Sequence, residues 1–183
     1  MSIDFEQVTT RTGDGGRTSD YSGRQDWKSA PVFGLLGDLD ELGSWLGVVK
    51  HLGSGRRPLE EAQRLLLTIG SLVATDPGLS AQGEVTSPVY QKLTRVTGDD
   101  VEALEVWERA LMSRVQLKPH FVLTGGTKKA AWCDVARTVC RRAERSLVAF
   151  IRAEARVDLT TAARWINRLS DVLFVLARVY AKR

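Results

Sequence analysis

Apolar residues recur along most of this chain at alternating intervals of four and three positions, and no segment alternates convincingly with a period of two. The clearest run lies between residues 31 and 52, where the apolar positions are Leu35, Leu39, Leu42, Leu46 and Val49. This spacing places one apolar face along a helix, as in helical bundles. The sequence therefore predicts an all-α fold.

The same reasoning divides the rest of the chain into four more helices. The second begins near Pro58, the third is capped by Asp99 or Asp100, the fourth spans 127–155 and the fifth runs from about Thr160 to the end. A polar break rich in Gly and Pro, residues 76–98, precedes the third helix. We predict a single domain, 1–183: an N-terminal loop, 1–30, followed by a five-helix bundle of ferritin-like, four-helix-bundle type, 31–183.

The composition is that of an ordinary globular protein, with 43% hydrophobic and 26% charged residues. The net charge of +4 is too weak to indicate a nucleic-acid binder. No apolar run approaches the roughly 20 residues that cross a bilayer, and the polar N-terminus does not resemble a signal peptide. Cys133 and Cys140 lie about 10 Å apart along one helix, too far for a disulfide. We expect a cytoplasmic protein with no membrane or nucleic-acid partner.

The fourth predicted helix separates an apolar arc from a charged face. Arg137, Arg141 and Glu144 share the charged face, and Arg142 and Arg145 flank it. Arginine presents a fork of N–H donors that suits phosphate oxygens. Charged helical faces are also commonly just solvated, so the helix alone leaves both interpretations open.

On the fifth predicted helix, Asn167, Asp171, Phe174 and Arg178 form a second stripe, away from the apolar face. An Asn beside an arginine-rich helix is suited to bind a base or a sugar. It is equally compatible with an ordinary surface position.

The segment Thr10–Ser19, TRTGDGGRTS, has the composition of an anion-binding loop. Its glycines allow backbone N–H groups to approach a phosphate, and its hydroxyls and arginines add donors and charge. It lacks the GxxxxGK[ST] pattern of a Walker A loop. Considered alone, it also resembles a disordered arm.

Taken together, these segments resemble the PduO-type ATP:cob(I)alamin adenosyltransferases over nearly the whole chain; only residues 76–98 match poorly. The matching motifs are TRTGDGGRTS at 10–19, Lys28 with Pro31, the G-x-x-DEL segment at 37–42, the helix at 66–75, FVLTGG at 121–126, ARTVCRRAER at 136–145 and NRLSD at 167–171. The last two are the most specific.

The resemblance implies a homotrimer with active sites between subunits. It implies that ATP contacts one subunit through Thr10, Arg11, Thr12, Gly13, Thr18, Ser19 and Lys28, and the neighbouring subunit through Arg141, Arg142, Glu144, Arg145 and Asn167. It also implies that Asp40 pairs with Arg137 across the interface. Phe121 would exclude the lower axial ligand of the corrinoid; without the resemblance, a core position is the simpler interpretation.

The implied reaction transfers the 5′-deoxyadenosyl group of ATP to the cobalt of cob(I)alamin, giving adenosylcobalamin and triphosphate. Cob(I)alamin is itself the nucleophile, so no activated side chain is required, and we expect no catalytic role for His51 or His120. Arginines, Lys28 and Mg²⁺ would stabilise the leaving triphosphate. A corrinoid reductase and a cobalamin-dependent enzyme are candidate protein partners.

The chain differs from the usual pattern of this family at several positions: Gly15, Asp20, Gly34, Gly43, Thr124 and Val172. None of them removes a proposed phosphate ligand. Two alternatives remain open: a catalytically weak paralogue that carries or senses ATP and corrinoid, and a basic helical protein that binds nucleic acid. The acids interleaved with the arginines argue against the second.

Overall fold

The computed structural model describes residues 3–53, 55–117, 119 and 121–182. Its secondary structure is mostly helical. The elements are α1 (Phe5–Val8), β1 (Arg17–Ser19), β2 (Gln25–Trp27), α2 (Pro31–Lys50), α3 (Arg56–Val73), α4 (Pro88–Gln91), α5 (Gly98–Met112), α6 (Lys128–Ala153), a short 3-10 turn (Val157–Leu159) and α7 (Thr160–Ala181).

The five long helices, α2, α3, α5, α6 and α7, share one hydrophobic core. Helix α6 packs against α2 and α7, α3 packs against α2, and α5 packs against α7. The apolar positions that the sequence predicted for α2 are all buried, because their spacing keeps them on one face. No helix in the described part of the chain has the length and apolar character needed to span a membrane.

Two predicted helix starts are displaced. Helix α5 is capped by Thr97 rather than by Asp99 or Asp100: the Thr97 hydroxyl accepts from the Asp100 backbone N–H, and the Asp100 carboxylate accepts from the Thr97 N–H. This reciprocal capping box outweighs the low helix propensity of Gly98. Helix α3 begins at Arg56, two residues before Pro58, because proline is tolerated in a first turn.

The prediction of a loop without strands over residues 8–30 was wrong in one respect. Strands β1 and β2 form an antiparallel hairpin in which Arg17 faces Trp27 and Ser19 faces Gln25. Each strand has only three residues and neither is buried, so no apolar alternation marks them in the sequence. The Arg17 guanidinium lies over the Trp27 ring, 5.2 Å from its centroid, and stabilises the pairing.

The polar segment 76–98 is held by a buried cluster at the far end of α6. The Arg156 guanidinium donates to the Leu72 carbonyl at 2.9 Å, to the Tyr90 hydroxyl at 2.7 Å and to the Asp158 carboxylate at 3.0 Å. The Tyr90 hydroxyl also donates to Asp158. Burial and the bond to Asp158 raise the pKa of Tyr90 to about 12. The cluster therefore ties α4 to the end of α3 and to the start of α7.

The predicted polar stripe on α7 is also only partly correct. Arg178 is buried rather than exposed, and its guanidinium donates to the buried carboxylate of Asp134 on α6. A buried arginine requires such a partner, since the cost of removing its charge from water is large. On the helical wheel Asp134 lies on the charged face, seven residues before Arg141, so its burial against Arg178 is not visible in the helical pattern alone.

Candidate active site

The N-terminal loop is folded into tight turns whose backbone is strained at one position. Arg11 adopts a left-handed backbone with φ of 58°, which is uncommon for a residue with a Cβ. The hydroxyls of Thr10 and Thr12 are 3.0 Å apart and hydrogen-bond to each other. The Gly16 N–H donates to the Gly13 carbonyl at 3.1 Å, which closes the turn. Hydroxyls, glycines and an arginine are thereby gathered in one short loop.

Lys28 is brought to this loop by the hairpin. Its backbone N–H donates to the Gly16 carbonyl at 2.9 Å, which extends the strand pairing. Its ammonium group lies so close to Gly13 that a Cβ there would stand 2.7 Å from Nζ. The predicted cation therefore lies directly against the predicted glycine loop.

The tip of the hairpin is fastened to the end of α3. The Tyr21 N–H donates to the Ala74 carbonyl at 2.9 Å, and the Asp76 N–H donates to the Ser22 hydroxyl at 2.7 Å. Within the tip, the Asp20 carboxylate accepts from the backbone N–H groups of Ser22 and Arg24. Asp20, one of the departures from the family pattern, thus orders the turn that anchors the loop.

A second group of predicted residues meets on the outer faces of α6 and α7. Its members line a depression of about 460 Å³ that holds Arg141, Glu144, Arg145, Val148, Ala149, Arg152 and Asn167. The Asn167 amide donates to the Glu144 carboxylate at 2.8 Å, so these two side chains form one polar edge. Among the described residues, no carboxylate forms an ion pair with Arg141, Arg145 or Arg152. The depression is therefore positively charged and equipped to bind an anion.

Arg142 lies on another side of α6. Its guanidinium donates to the Asp38 carboxylate at 2.8 Å and to the Glu41 carboxylate, both on α2. The Ser146 hydroxyl donates to the second oxygen of Asp38 at 2.6 Å. The structure thus engages Arg142 within its own chain, away from the depression of Arg141 and Arg145, and its predicted contact with ATP stays a prediction.

Arg137 and Asp40 are not in contact within one chain. The Arg137 guanidinium is 3.6 Å from the Asp134 carboxylate, in ion-pair range, and its Nε has no hydrogen-bond partner. Asp40 is exposed and forms no ion pair with any described residue. It lines a depression of about 720 Å³ between α2, α3 and the hairpin, which Thr18 and Ser19 also line.

Phe121 is fully exposed, and Leu123 nearly so. A core position for Phe121, the simpler interpretation of the sequence, is therefore wrong. Both residues lie in the turn 121–126, whose glycines Gly125 and Gly126 adopt left-handed backbone conformations with φ of 96° and 83°. The turn holds two large apolar side chains in solvent, an arrangement typical of a ligand or partner contact. His120 lies outside the described residues.

The depression beside Thr18 and the depression beside Arg141 are lined by different residues of the chain. The sequence-based reasoning missed Arg152 of the depression, and also Asp38, Asp134 and Ser146, which position its neighbours. Arg152 and Asp134 were detectable beforehand, because they lie seven residues after Arg145 and seven residues before Arg141 on the same helical face.

Neither cysteine is suited to act as a nucleophile. Burial raises the pKa of the Cys133 thiol to about 12, and the neighbouring Asp134 carboxylate acts in the same direction. Burial also raises the pKa of Cys140, whose thiol is directed at the Ile166 carbonyl. Both thiols are free and buried, as the sequence predicted.

Residues 8–180 match the model of the cobalamin adenosyltransferase family. The chain belongs to this family. It is 36% identical to a corrinoid adenosyltransferase of Mycobacterium leprae, over 98% of this chain and 93% of that protein. It is 34% identical to a corrinoid adenosyltransferase of Bacillus subtilis, over 97% of this chain and 88% of that protein.

The fold is similar to solved structures of the same family. A variant of the PduO-type ATP:corrinoid adenosyltransferase from Lactobacillus reuteri, complexed with cobalamin and ATP, superimposes with a TM-score of 0.78 at 31% identity, covering 95% of this chain and 93% of that one. The resemblance found in the sequence motifs is thereby confirmed at the level of the family and its helical fold.

Proposed function

We propose that this chain transfers the 5′-deoxyadenosyl group of ATP to the cobalt of cob(I)alamin, giving adenosylcobalamin and triphosphate. The observation that carries the proposal is the depression on α6 and α7, where three arginines lie beside the Asn167–Glu144 pair and form no ion pair with a carboxylate of the described residues. Cations suit the phosphates of ATP, and the amide–carboxylate edge suits the hydroxyls of its sugar. Membership of the cobalamin adenosyltransferase family specifies the acceptor.

The proposed ATP site has two halves that come from different protomers of a homotrimer. One half is the loop with Thr10, Arg11, Thr12, Gly13, Thr18, Ser19 and Lys28; the other is the arginine depression with Arg141, Glu144, Arg145 and Asn167. Support comes from the two depressions, which are lined by different residues of one chain. Each half supplies hydrogen-bond donors for a triphosphate, and the two halves together would surround one bound triphosphate.

Asp40 and Arg137 are proposed to pair across the same interface. Asp40 is exposed on α2 without an ion-pair partner in the described part of its own chain. Arg137 keeps an unsatisfied Nε beside Asp134, so a second carboxylate has a donor available. A contact of this kind would align the two halves of the site.

The chemistry requires positioning and charge rather than an activated side chain. Cob(I)alamin is the nucleophile that attacks the 5′ carbon of ATP, the C–O bond to the triphosphate breaks, and the triphosphate leaves with the bonding electrons. Arg141, Arg145 and Lys28 would stabilise the charge that grows on the departing oxygens. Their charge is fixed in advance, so little reorganisation accompanies the reaction.

Mg²⁺ remains a prediction for this site. Among the described residues, no three acidic, His or Cys side chains cluster as metal ligands. Single carboxylates such as Glu144 beside the arginines suit an ion that is held mainly by phosphate oxygens. When bound, Mg²⁺ would neutralise part of the triphosphate charge.

Phe121 is proposed to contact the corrinoid on its lower face. Its ring is fully exposed and therefore free to contact a ligand. The turn that carries it, residues 121–126, lies in the connection between α5 and α6, just before α6 begins. An apolar ring at that position would exclude water or a base from the cobalt. The predicted reductase, the cobalamin-dependent partner enzyme and the cytoplasmic location also remain predictions.

An anaerobic alkylation assay tests the proposal. Purified chain, ATP with Mg²⁺ and chemically reduced cobalamin should give a light-sensitive cobalt–carbon product and one triphosphate per product. ATP binding by calorimetry without any cobalt–carbon product would contradict transfer and support the carrier alternative. Salt-dependent binding of DNA or RNA in place of ATP would contradict both.

A further inference from the structure

A buried carboxylate, Asp134, connects the turn that carries Phe121 to Arg137 on α6 and to Arg178 on α7. Asp134 lies on the first turns of α6, one helical turn before Arg137 and nine residues after Gly125. Its side chain is buried, yet it contacts groups from the 121–126 turn, from α6 and from α7. None of the sequence motifs drew attention to it.

One oxygen of Asp134 holds the turn. Its Oδ2 accepts the Gly125 backbone N–H at 3.1 Å and a bond from the Arg178 guanidinium. Gly125 is in a left-handed conformation, so its N–H direction is set by a backbone that few other residues adopt. The bond therefore fixes the orientation of the turn that carries Phe121.

The other oxygen of Asp134 faces the arginine side of α6. Its Oδ1 is 3.6 Å from Arg137 Nε and accepts no hydrogen bond. Arg178 donates to the carboxylate from α7. The Cζ atom of its guanidinium lies 5.4 Å from the centroid of the Phe174 ring, a cation–π contact that helps to hold the arginine in place. A single rigid carboxylate thus contacts the exposed turn and the first arginine of the charged face.

We infer that Asp134, held by Arg178, is a positioning residue that orients the Phe121 turn toward the corrinoid. The inference rests on the proposed adenosyl transfer and assigns Asp134 no contact with either substrate. Loss of the negative charge would leave the Arg178 guanidinium without its counter-ion, and the single acceptor oxygen of Asn would bind the Gly125 N–H less firmly. Phe121 would then sample other orientations, and the lower face of the cobalt would remain accessible to an axial ligand.

The isosteric variant Asp134→Asn tests this role with two readouts. We expect kcat to fall by about ten- to a hundredfold, as displacement of a positioned group by about 1 Å does. We expect KM for ATP to change by less than about twofold, because the arginine depression is unaffected. The fraction of bound cob(II)alamin without a lower axial ligand, measured by electron paramagnetic resonance with ATP present, should fall with kcat.

Asp158→Asn is the matched control. Asp158 is also a partly buried carboxylate paired with an arginine, but it lies beyond the opposite end of α6, on the order of 30 Å along the helix. Its loss should lower stability without changing the cob(II)alamin spectrum. An equal spectral change in both variants would overturn the inference, since general loosening would then explain it.

A double-mutant cycle separates orientation of Phe121 from other effects. In a Phe121→Ala background, Asp134→Asn should leave kcat and the cob(II)alamin spectrum unchanged, because the ring that it orients is absent. A further drop of the same size as in the wild type would overturn the inference. If the wild-type chain makes no adenosylcobalamin, the proposed function fails instead, which is a distinct result.

Amide exchange in the wild type supplies a test that needs no variant. The Gly125 N–H, bonded to a buried carboxylate, should exchange at least about tenfold more slowly than the Leu123 N–H of the same exposed turn. Equal rates at both amides would show that Asp134 does not hold the turn and would overturn the inference.

Discussion

The N-terminal segment 3–30 and the helical part 31–182 differ in how many of their side chains are buried. No residue of the segment 3–30 is buried, and its apolar side chains Ile3, Phe5, Val8, Tyr21 and Trp27 are all exposed. The helical part, by contrast, buries an extensive core. The helices therefore supply the stability, while the segment supplies proposed ligands and is fastened to the helical part by hydrogen bonds at the hairpin tip. Substitutions in the two regions should affect different measurements.

The largest expected effect lies in the core and concerns stability. Leu59→Ala removes a completely buried side chain at the start of α3, away from the depressions described above. We expect a loss of about 2–5 kcal/mol in the free energy of unfolding because a cavity remains. Denaturant unfolding measures it, and kcat of the folded fraction should be unchanged. A fall in kcat without a loss of stability would contradict the view that the helical core supplies stability rather than catalytic groups.

The next largest effect concerns activity and lies in the arginine depression on α6 and α7. Arg141→Ala should lower kcat/KM by about a hundred- to a thousandfold, since one preformed donor to developing charge is removed. The melting temperature should barely change, because Arg141 is exposed and has no ion-pair partner among the described residues. Arg57→Ala, at an exposed and likewise unpaired arginine of α3, is the control and should retain activity. Equal losses in both variants would indicate only a general charge effect.

A third prediction concerns the cluster that anchors residues 76–98. Burial raises the pKa of Asp158, but the bonds from Arg156 and Tyr90 outweigh it, so the folded-state pKa is lowered. The stabilisation is complete above the unfolded pKa of about 3.9 and is lost as the pH falls through the folded value. At pH 7, Asp158→Asn should cost about 1–3 kcal/mol. Unfolding at several pH values should show this difference shrinking below about pH 4; a constant difference would contradict the assignment.

The smallest effect lies in the N-terminal loop. In Gly13→Ala the new Cβ would stand 2.7 Å from Lys28 Nζ, so the ammonium group has to move. We expect kcat/KM for ATP to fall by about tenfold with an unchanged melting temperature, as for a misplaced ligand. Gly15→Ala is the matched control, since no atom lies within 4 Å of its Cβ. If the two variants behave alike, Lys28 is not positioned by this contact.

The same contrast explains what the sequence was able to predict. The long helices were predictable because each buries one regularly spaced face, as in α2. The hairpin was not, since its stability comes from Arg17 over Trp27 and from bonds between Ser22 and the end of α3 rather than from alternation. The capping box at Thr97 was hidden behind Gly98, which suggested a break in the chain.

The structure brings some of the predicted site residues together and separates others. Asn167 and Glu144 meet as the two helical stripes suggested. Arg142, adjacent to Arg141 in sequence, points to Asp38 because successive helical residues are turned by about 100°. Asp134 is buried through its contact with Arg178, which is 44 residues away in the sequence, and no local pattern reports this contact.

The measurement that bears most directly on a site shared between protomers is complementation between two inactive variants. Lys28→Ala disables the loop half and Arg141→Ala the arginine half. Co-expressed in equal amounts, they should recover about one quarter of the wild-type activity, because random mixing restores both halves at that fraction of interfaces. Mixed oligomers that form but remain inactive, with each parent still folded, would contradict a site built from the loop of one protomer and the arginines of the next.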